Sequence, residues 1–385
     1  MTILYITHTT NMTDGSTKSF INMLIGVRKS GIVPVVICPD KGLLYKYLEQ
    51  QNIVVYSIKY KALYSLMDGS LKSIIQFFRA ITIYSLYNFC AIIQLLNIIK
   101  EFKPSLIHTN TSVINIGYIA SRIKKIKHVW HIREYQDLDF NIKTIPSKKF
   151  FAKRLNKENG NSICITKDIR NNFNLKTENS TVIYNPIADR KAITFDPYKE
   201  DYILFVGRLE ESKGALDVIK TFLSIAKDIN PNIELWIVGR ATNANYISII
   251  KKILDEFDLN HQVKIKGEIF EVDKLMQKAK AIIVASRFEG FGRVTAEAMF
   301  NGCLVIGKNR GGTKEQFDNG VEITGSEIGL RYNTDIELAT HLISISNNSQ
   351  DYYYSMIQQA ATTVENLYTT EENSKRIADY YKSIN

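Results

Sequence analysis

The chain has 385 residues, of which 45% are hydrophobic, 11% aromatic and 23% charged. That is enough apolar material for two packed domains, and it excludes a globally disordered, collagen-like or proline-rich chain. The net charge of +10 is uneven: residues 1–190 hold 26 basic and 12 acidic residues, leaving 23 and 27 in the rest, so the first part is +14 and the second −4.

Four scattered cysteines (Cys38, Cys90, Cys164, Cys303) include no C-x-x-C pair, which argues against a disulfide scaffold or a zinc site and suits a reducing compartment. The opening Met1-Thr-Ile-Leu-Tyr-Ile-Thr lacks the basic start of a signal peptide, so none is expected.

Short β-branched runs bounded by turn residues then recur along the chain: Thr2–Thr7, Val33–Cys38, Ile53–Ile58, Leu106–His108, His128–Ile132, Ser162–Ile165 and Thr181–Tyr184. Helical patterns such as Lys18–Ser30 and Leu43–Gln51 lie between them. Residues 80–99 (AITIYSLYNFCAIIQLLNII) are uncharged and long enough to span a bilayer. Ser85, Asn88, Gln94 and Asn97 interrupt them, so one or two core helices, with an apolar edge for a membrane, are expected instead. Basic residues cluster at Arg122, Lys124, Lys125 and Lys127 and at Lys148, Lys149, Lys153 and Arg154.

Ile187–Glu200 is polar, follows Asn185-Pro186 and reads as an interdomain linker. A second series of strands follows: Tyr202–Val206, Ile233–Val238, Val263–Lys266, Ala281–Val284 and Leu304–Ile306. They are separated by helices Ala215–Asp228, Asn245–Phe257, Val272–Ala279 and Thr295–Asn301. Short strands with helical crossovers predict parallel sheets covered on both faces, so the fold class is α/β with two doubly wound, Rossmann-like domains. The domains are placed at residues 1–190 and 191–365, with a terminal helix in 366–385. Ligands of such sheets bind beyond the carboxyl ends of the strands.

Three strand ends in the second part carry chemistry. In FVGRLEESKG, Gly207 permits close approach, and Arg208 and Lys213 put two cations beside a helix start, a pattern suited to a diphosphate. In SRFEGFGRVTAEAM, Glu289 precedes the loop Gly290-Phe291-Gly292 and Glu297 lies about a turn into the next helix. The two carboxylates can grip hydroxyls of two sugar rings, with helix N–H groups between them. In KNRGGTKE, Gly311 and Gly312 follow a strand and let backbone approach phosphate, and Thr313 is placed to open a helix. Ordinary βα loops with solvated charges are the competing reading of each motif. Their order, each at a strand end, favours a site.

These residues resemble family 4 of the retaining nucleotide-sugar glycosyltransferases, which have the GT-B fold of two Rossmann-like domains facing across a cleft. The match is firm over about residues 200–335: G-R-L-x-x-x-K-G at Gly207–Gly214, E-x7-E at Glu289 and Glu297, and G-G-x-x-E at Gly311–Glu315. The resemblance implies that Arg208 and Lys213 hold the donor diphosphate, Glu289 meets the donor sugar and Glu297 the ribose. Gly290, Phe291, Gly292, Gly311 and Gly312 then line the donor site.

The first part matches more loosely. Thr10–Phe20 stands at the family's glycine loop, with Asp14 in place of one glycine and Gly15 and Ser16 following, so this loop is expected to approach the donor phosphate. His131 in VWHIRE matches a histidine beside the donor sugar and is taken, with Glu289, as catalytic. The competing reading is a structural histidine. Thr369 and Glu372 stand at capping-box spacing, and Ser374–Ile384 is expected to cross back to the first domain. Asp137-Leu138-Asp139 has a metal-binding spacing but reads as surface charge in this setting.

The resemblance therefore implies a retaining, metal-independent hexosyltransferase with no cofactor. It would use a UDP-sugar or another nucleoside diphosphate sugar and a saccharide or lipid-linked acceptor in bacterial surface polysaccharide or glycoconjugate synthesis. A non-catalytic subunit of a partner transferase and a nucleotide-sugar epimerase are the alternatives. The basic first part suits an anionic membrane surface or a lipid-phosphate acceptor, giving a cytoplasmic, membrane-peripheral location. Nucleic acid is not expected, because no basic motif is interleaved with aromatics.

Overall fold

The computed structural model describes all residues except 63, 66–70, 141–142, 145–146, 158–159, 242, 258–261 and 385, and gives no side-chain description at 64–65, 71–80, 139–140, 143–144, 244 and 257. The chain divides into two compact units, Met1–Pro186 with Thr370–Asn385, and Ile187–Thr369.

The first unit is built on a seven-stranded parallel sheet: β1 (Thr2–Ile6), β2 (Val33–Cys38), β3 (Val54–Ser57), β4 (Leu106–Thr109), β5 (Lys127–Ile132), β6 (Ser162–Cys164) and β7 (Ser180–Val182). Its order is β3-β2-β1-β4-β5-β6-β7. The order reverses beside β1, where Ile3 pairs with Pro34 on one side and Leu106 on the other. Alternation along the strands feeds two cores. Ile3 and Tyr5 join Phe20, Leu24, Val129, Ile377 and Tyr381 on one face. Leu4 and Ile6 join Leu95, Ile98, Ile107 and Ile116 on the other.

Helix α1 (Gly15–Lys29) starts three residues earlier than its apolar period suggests, directly after Asp14. The long segment is a single 32-residue helix, α3 (Leu71–Phe102), following α2 (Leu43–Gln50). It is a core helix on one side only. Asn88, Ala91, Leu95, Ile98 and Ile99 are buried, whereas Leu86, Phe89 and Ile93 are exposed. Helices α4 (Ile116–Lys124) and α5 (Lys148–Leu155) follow.

The second unit has a six-stranded parallel sheet of β8 (Glu200–Val206), β9 (Glu234–Val238), β10 (Val263–Gly267), β11 (Ala279–Val284), β12 (Leu304–Lys308) and β13 (Leu330–Tyr332). Its order is β10-β9-β8-β11-β12-β13. The edge strand β13 has no β-branched run to announce it and is held by pairing with β12. Between strands lie α6 (Ala215–Ser224), α7 (Ala244–Phe257), α8 (Val272–Lys278), α9 (Arg293–Phe300) and α10 (Gly311–Thr324), and α11 (Asp335–Asn347) and α12 (Tyr354–Leu367) complete the unit. Its core joins Phe205, Phe222, Leu235, Ile283 and Ile306.

The segment after Pro186 is more than a linker. The Ile187 N–H donates to the Tyr368 carbonyl at 2.9 Å, and the Thr194 N–H to the Phe300 carbonyl at 2.9 Å. The last helix, α13 (Thr370–Ile384), belongs to the first unit and packs on α1. The two helices approach at Gly26, where an added Cβ would lie 2.7 Å from the Ser374 Cβ.

Candidate functional site

In the second unit the strand order reverses between β8 and β11, and the loops after both strands emerge there, the place where doubly wound sheets present ligands. The loops are tied together. The Arg287 N–H donates to the Ser212 carbonyl at 2.9 Å, and its guanidinium meets Glu211 at 2.8 Å. Between them the Lys213 Nζ lies 2.6 Å from the Glu289 Oε1, and the Ser286 hydroxyl donates to the same oxygen at 2.7 Å. Among the described residues the other carboxylate oxygen of Glu289 takes no hydrogen bond, and the Lys213 ammonium, which has three N–H donors, uses one. The pair thus keeps an acceptor and two donors for a ligand. Arg208 is 56% exposed and, among the described residues, its side chain reaches only Glu210, at 3.1 Å.

Gly292, at φ +79°, caps α9, and Glu297 lies in the second turn, where its Oε1 receives both the Nε and an Nη of Arg293, at 3.1 and 2.9 Å. The i,i+4 spacing of this pair was visible in RVTAE.

The paired glycines also have a structural job that the sequence did not suggest. Gly311 and Gly312 are themselves the first residues of α10, so Thr313 lies inside the helix. The Gly312 N–H donates to the Glu289 carbonyl at 2.8 Å. A Cβ on Gly312 would sit 2.2 Å from the Phe291 carbonyl oxygen. Their close approach is to the Glu289 loop, and it fixes that loop. Phe291 is 3% exposed and packs edge-on against Tyr368 with centroids 5.3 Å apart, so its side chain supports the site from the core and offers a ligand no surface. Gln316 holds the loop from below, donating to the Phe291 and Gly292 carbonyls. Gly290 lies on the same loop between Glu289 and Phe291.

In the first unit, Gly15 and Ser16 are the first two residues of α1, whose opening N–H groups have no partner within the helix. Asn11 orders the loop before them. Its amide donates to the Asp14 carboxylate at 3.1 Å, and its carbonyl accepts from the Thr13 N–H at 3.1 Å.

His131 is the penultimate residue of β5 and is 1% exposed. Its Nδ1 lies 3.1 Å from the His108 Nε2 and 3.3 Å from a terminal nitrogen of Arg133. The His108 Nδ1 in turn lies 2.6 Å from the Tyr381 hydroxyl on α13, and that hydroxyl lies 3.3 Å from the Tyr5 hydroxyl. A guanidinium can only donate, so the His131 Nδ1 accepts and the proton of the neutral ring sits on Nε2. Burial first, then the Arg133 and His108 charges, hold the His131 pKa well below the ordinary histidine value, so the ring is neutral at pH 7. Among the described residues that Nε2 is buried without a hydrogen-bond partner. His131 therefore offers a donor N–H, and no lone pair for use as a base.

Arg133 is fixed by Asn110 at 2.7 Å and by Asn185. Glu134 accepts from Thr111 at 3.0 Å and from the Ser112 backbone at 2.8 Å. Sequence reasoning missed Ser286, Asn110, Thr111, Ser112, His108 and Tyr381. The buried polar run Asn110-Thr111-Ser112 directly after β4 was the one local signal among them. Asp137 is paired with Lys148 at 2.8 Å, as surface charge, while the Asp139 side chain lies outside the described residues.

Residues 188–363 match the family model described as glycosyl transferases group 1. Poly(glycerol-phosphate) alpha-glucosyltransferase of Bacillus subtilis is 31% identical over 147 residues, 37% of this chain and 21% of that protein. The N-acetylgalactosamine-N,N'-diacetylbacillosaminyl-diphospho-undecaprenol 4-alpha-N-acetylgalactosaminyltransferase of Campylobacter jejuni is 27% identical over 175 residues, 44% of each chain. The chain spans less than two thirds of the length of these curated relatives. Among solved structures, Anabaena HepE in complex with UDP superposes with a TM-score of 0.78 at 19% identity, covering 100% of both chains. The same protein with UDP-glucose gives 0.76.

Proposed function

We propose that this chain, whose residues 188–363 match the glycosyl transferases group 1 model and whose fold is GT-B, moves a sugar from a UDP-sugar to a saccharide or lipid-linked acceptor in surface polysaccharide or glycoconjugate synthesis. One observation carries the reading. Lys213 and Glu289 are clamped through a single carboxylate oxygen, which leaves ammonium donors and a carboxylate acceptor side by side at the strand ends. A leaving diphosphate needs the former, and a donor sugar's hydroxyls need the latter. The UDP and UDP-glucose complexes of HepE and the diphospho-undecaprenol named for the Campylobacter relative support the donor and acceptor classes.

In this reading Arg208, Lys213 and the N-termini of α9 and α10 stabilise charge growing on the diphosphate. Preorganised donors of this kind contribute about 3–4 kcal/mol each to lowering the barrier. Those groups supply the positive field, so the transfer needs no metal. Glu289 orients the sugar, and Glu297, held by Arg293, takes the ribose. Gly15 and Ser16 offer backbone N–H groups to phosphate. The first unit contributes His131 as a hydrogen-bond donor to a substrate hydroxyl. With no side-chain base assigned, the departing phosphate oxygen takes the acceptor proton, which fits attack from the leaving-group face and retention at the anomeric carbon.

The test is a panel of nucleotide sugars screened by thermal shift, followed by transfer assays on wild type and Glu289→Ala with and without chelator. One donor should raise the melting temperature by mass action. Its turnover should collapse in Glu289→Ala and be indifferent to chelator. Full activity of Glu289→Ala, or complete loss on chelation, refutes the proposal.

A further inference from the structure

Helices α3, α4 and α5 cover one face of the seven-stranded sheet. Buried residues of α3 and α4 share a core with Leu4, Ile6 and Ile107. On the same layer Phe151 of α5 packs edge-on to Trp130, centroids 5.1 Å apart, and the Arg154 guanidinium lies 4.9 Å over the Tyr118 ring of α4. The outer side of this layer carries two features that do not belong together on an ordinary solvated surface.

The first is apolar. Leu86, Phe89 and Ile93 are 65%, 66% and 48% exposed along α3, with Ile123 at 54% on α4 and Phe150 at 48% on α5. They recur at helical spacing on the side of α3 opposite Asn88, Ala91, Leu95 and Ile98, which are buried. A helix with apolar residues on both sides has one side packed and one waiting for a partner.

The second is charge. Residues 69–133 contain nine basic residues and a single acidic one, Glu101. On α4 and its C-cap, Arg122, Lys124 and Lys125 are exposed, as are Lys149 and Lys153 on α5. None of these five makes an ion pair among the described residues.

The geometry points to this layer as a docking surface for an anionic lipid bilayer, with Leu86, Phe89 and Ile93 entering the interface and Arg122, Lys124, Lys125, Lys149 and Lys153 meeting the headgroups. Interfacial helices combine these two features. A second copy of the chain is disfavoured, because a two-fold contact would bring like charge against like. The binding needs neither donor nor acceptor, so it stands or falls apart from the sugar-transfer reading.

The protein carries a reporter for the test. Cys90 is exposed on α3 between Phe89 and Ile93, while Cys38, Cys164 and Cys303 are buried. The full chain, labelled at Cys90 with a polarity-sensitive dye, would be titrated with vesicles of phosphatidylcholine alone or mixed with phosphatidylglycerol. The expected result is a blue shift and co-sedimentation with the anionic vesicles only, reversed by about 1 M salt, where the Debye length falls to about 3 Å. Each basic residue at an anionic surface strengthens partitioning by about fivefold, so R122E/K124E/K125E should weaken it by at least about a hundredfold. L86E/F89E should abolish the blue shift. Unchanged circular-dichroism melts would show that both variants fold. The proposal is overturned by equal binding to neutral vesicles, by variants that bind like wild type, or by a wild-type dimer that L86E/F89E dissociates. It is also overturned by salt-sensitive RNA binding that L86E/F89E leaves intact while no vesicle binds.

Discussion

Removing the Lys213 ammonium separates a structural ion pair from a catalytic one. The pair is 2.6 Å long, and its side chains are 20% and 21% exposed. At an effective dielectric constant of about 20, two unit charges at that distance attract by about 6 kcal/mol. Desolvation and side-chain ordering cancel most of this, so a double-mutant cycle on stability with Lys213→Ala and Glu289→Ala should return a coupling of about 1–3 kcal/mol. In Lys213→Ala the carboxylate keeps its Ser286 hydrogen bond and some water, so the single variant should lose about 1–2 kcal/mol, a minor part of the stability of about 5–15 kcal/mol usual for a domain. It should stay folded at 25 °C. If Lys213 also meets the leaving diphosphate, turnover should fall by about 10²–10³-fold, some 3–4 kcal/mol, well beyond any unfolded fraction. Urea unfolding measures the first quantity and single-turnover sugar transfer the second. A folded Lys213→Ala protein that transfers sugar within about threefold of wild type would sink the reasoning, and the ion pair would then be structural.

Three further outcomes follow from the geometry. Gly312→Ala places a methyl group among the Phe291 backbone atoms, 2.2–2.6 Å away, and should cost about 3 kcal/mol or more; Gly325→Ala, at φ +73° with no neighbour within 4 Å, should cost about 1–2 kcal/mol. Equal melting points for the two variants would contradict this. Burial lowers the His128 pKa to about 3, so between pH 6.5 and 3 the unfolded state takes a proton that the folded state refuses. Stability of the first unit should therefore be complete above pH 6.5 and fall by about 1.4 kcal/mol per pH unit below it from this residue alone, with His108 and His131 acting in the same direction. Urea midpoints that stay flat from pH 7 to pH 5 would contradict it. His131→Phe should lower kcat/KM by about 10–100-fold, with partial recovery in His131→Gln, while the pH profile keeps its shape. Loss of a limb near pH 6.5 in His131→Phe would make the residue a base.

All strands but β13 were legible because each is a short β-branched run between turn residues, and the central strands of both sheets depend on such runs being buried on two faces. β13 escaped because three residues of mixed character carry no period. Its place comes from pairing with β12. In α3 the residues are apolar all round, so periodicity could not separate the packed side from the exposed one, and only the sheet beneath it does. The segments that carry Lys213 and Glu289 were readable because each sits on one loop. The contacts that orient them were not: Ser286 looks like any loop serine until Glu289 folds back on it. Tyr381 and His108 are 273 positions apart, and no local pattern links them.

The return of α13 to the first unit has a consequence for biosynthesis. Ile377, Ala378 and Tyr381 are members of the first unit's core, so residues 1–186 leave the ribosome with a helix-shaped gap beside α1. That gap stays open until Thr370–Ile384 is made, whereas Ile187–Thr369 is contiguous and can close on itself earlier. The order of completion is then inverted relative to the order of synthesis, and the nascent first unit is the part most in need of a chaperone. A nonsense codon or proteolytic cut just before Thr370 would harm the unit that was translated first.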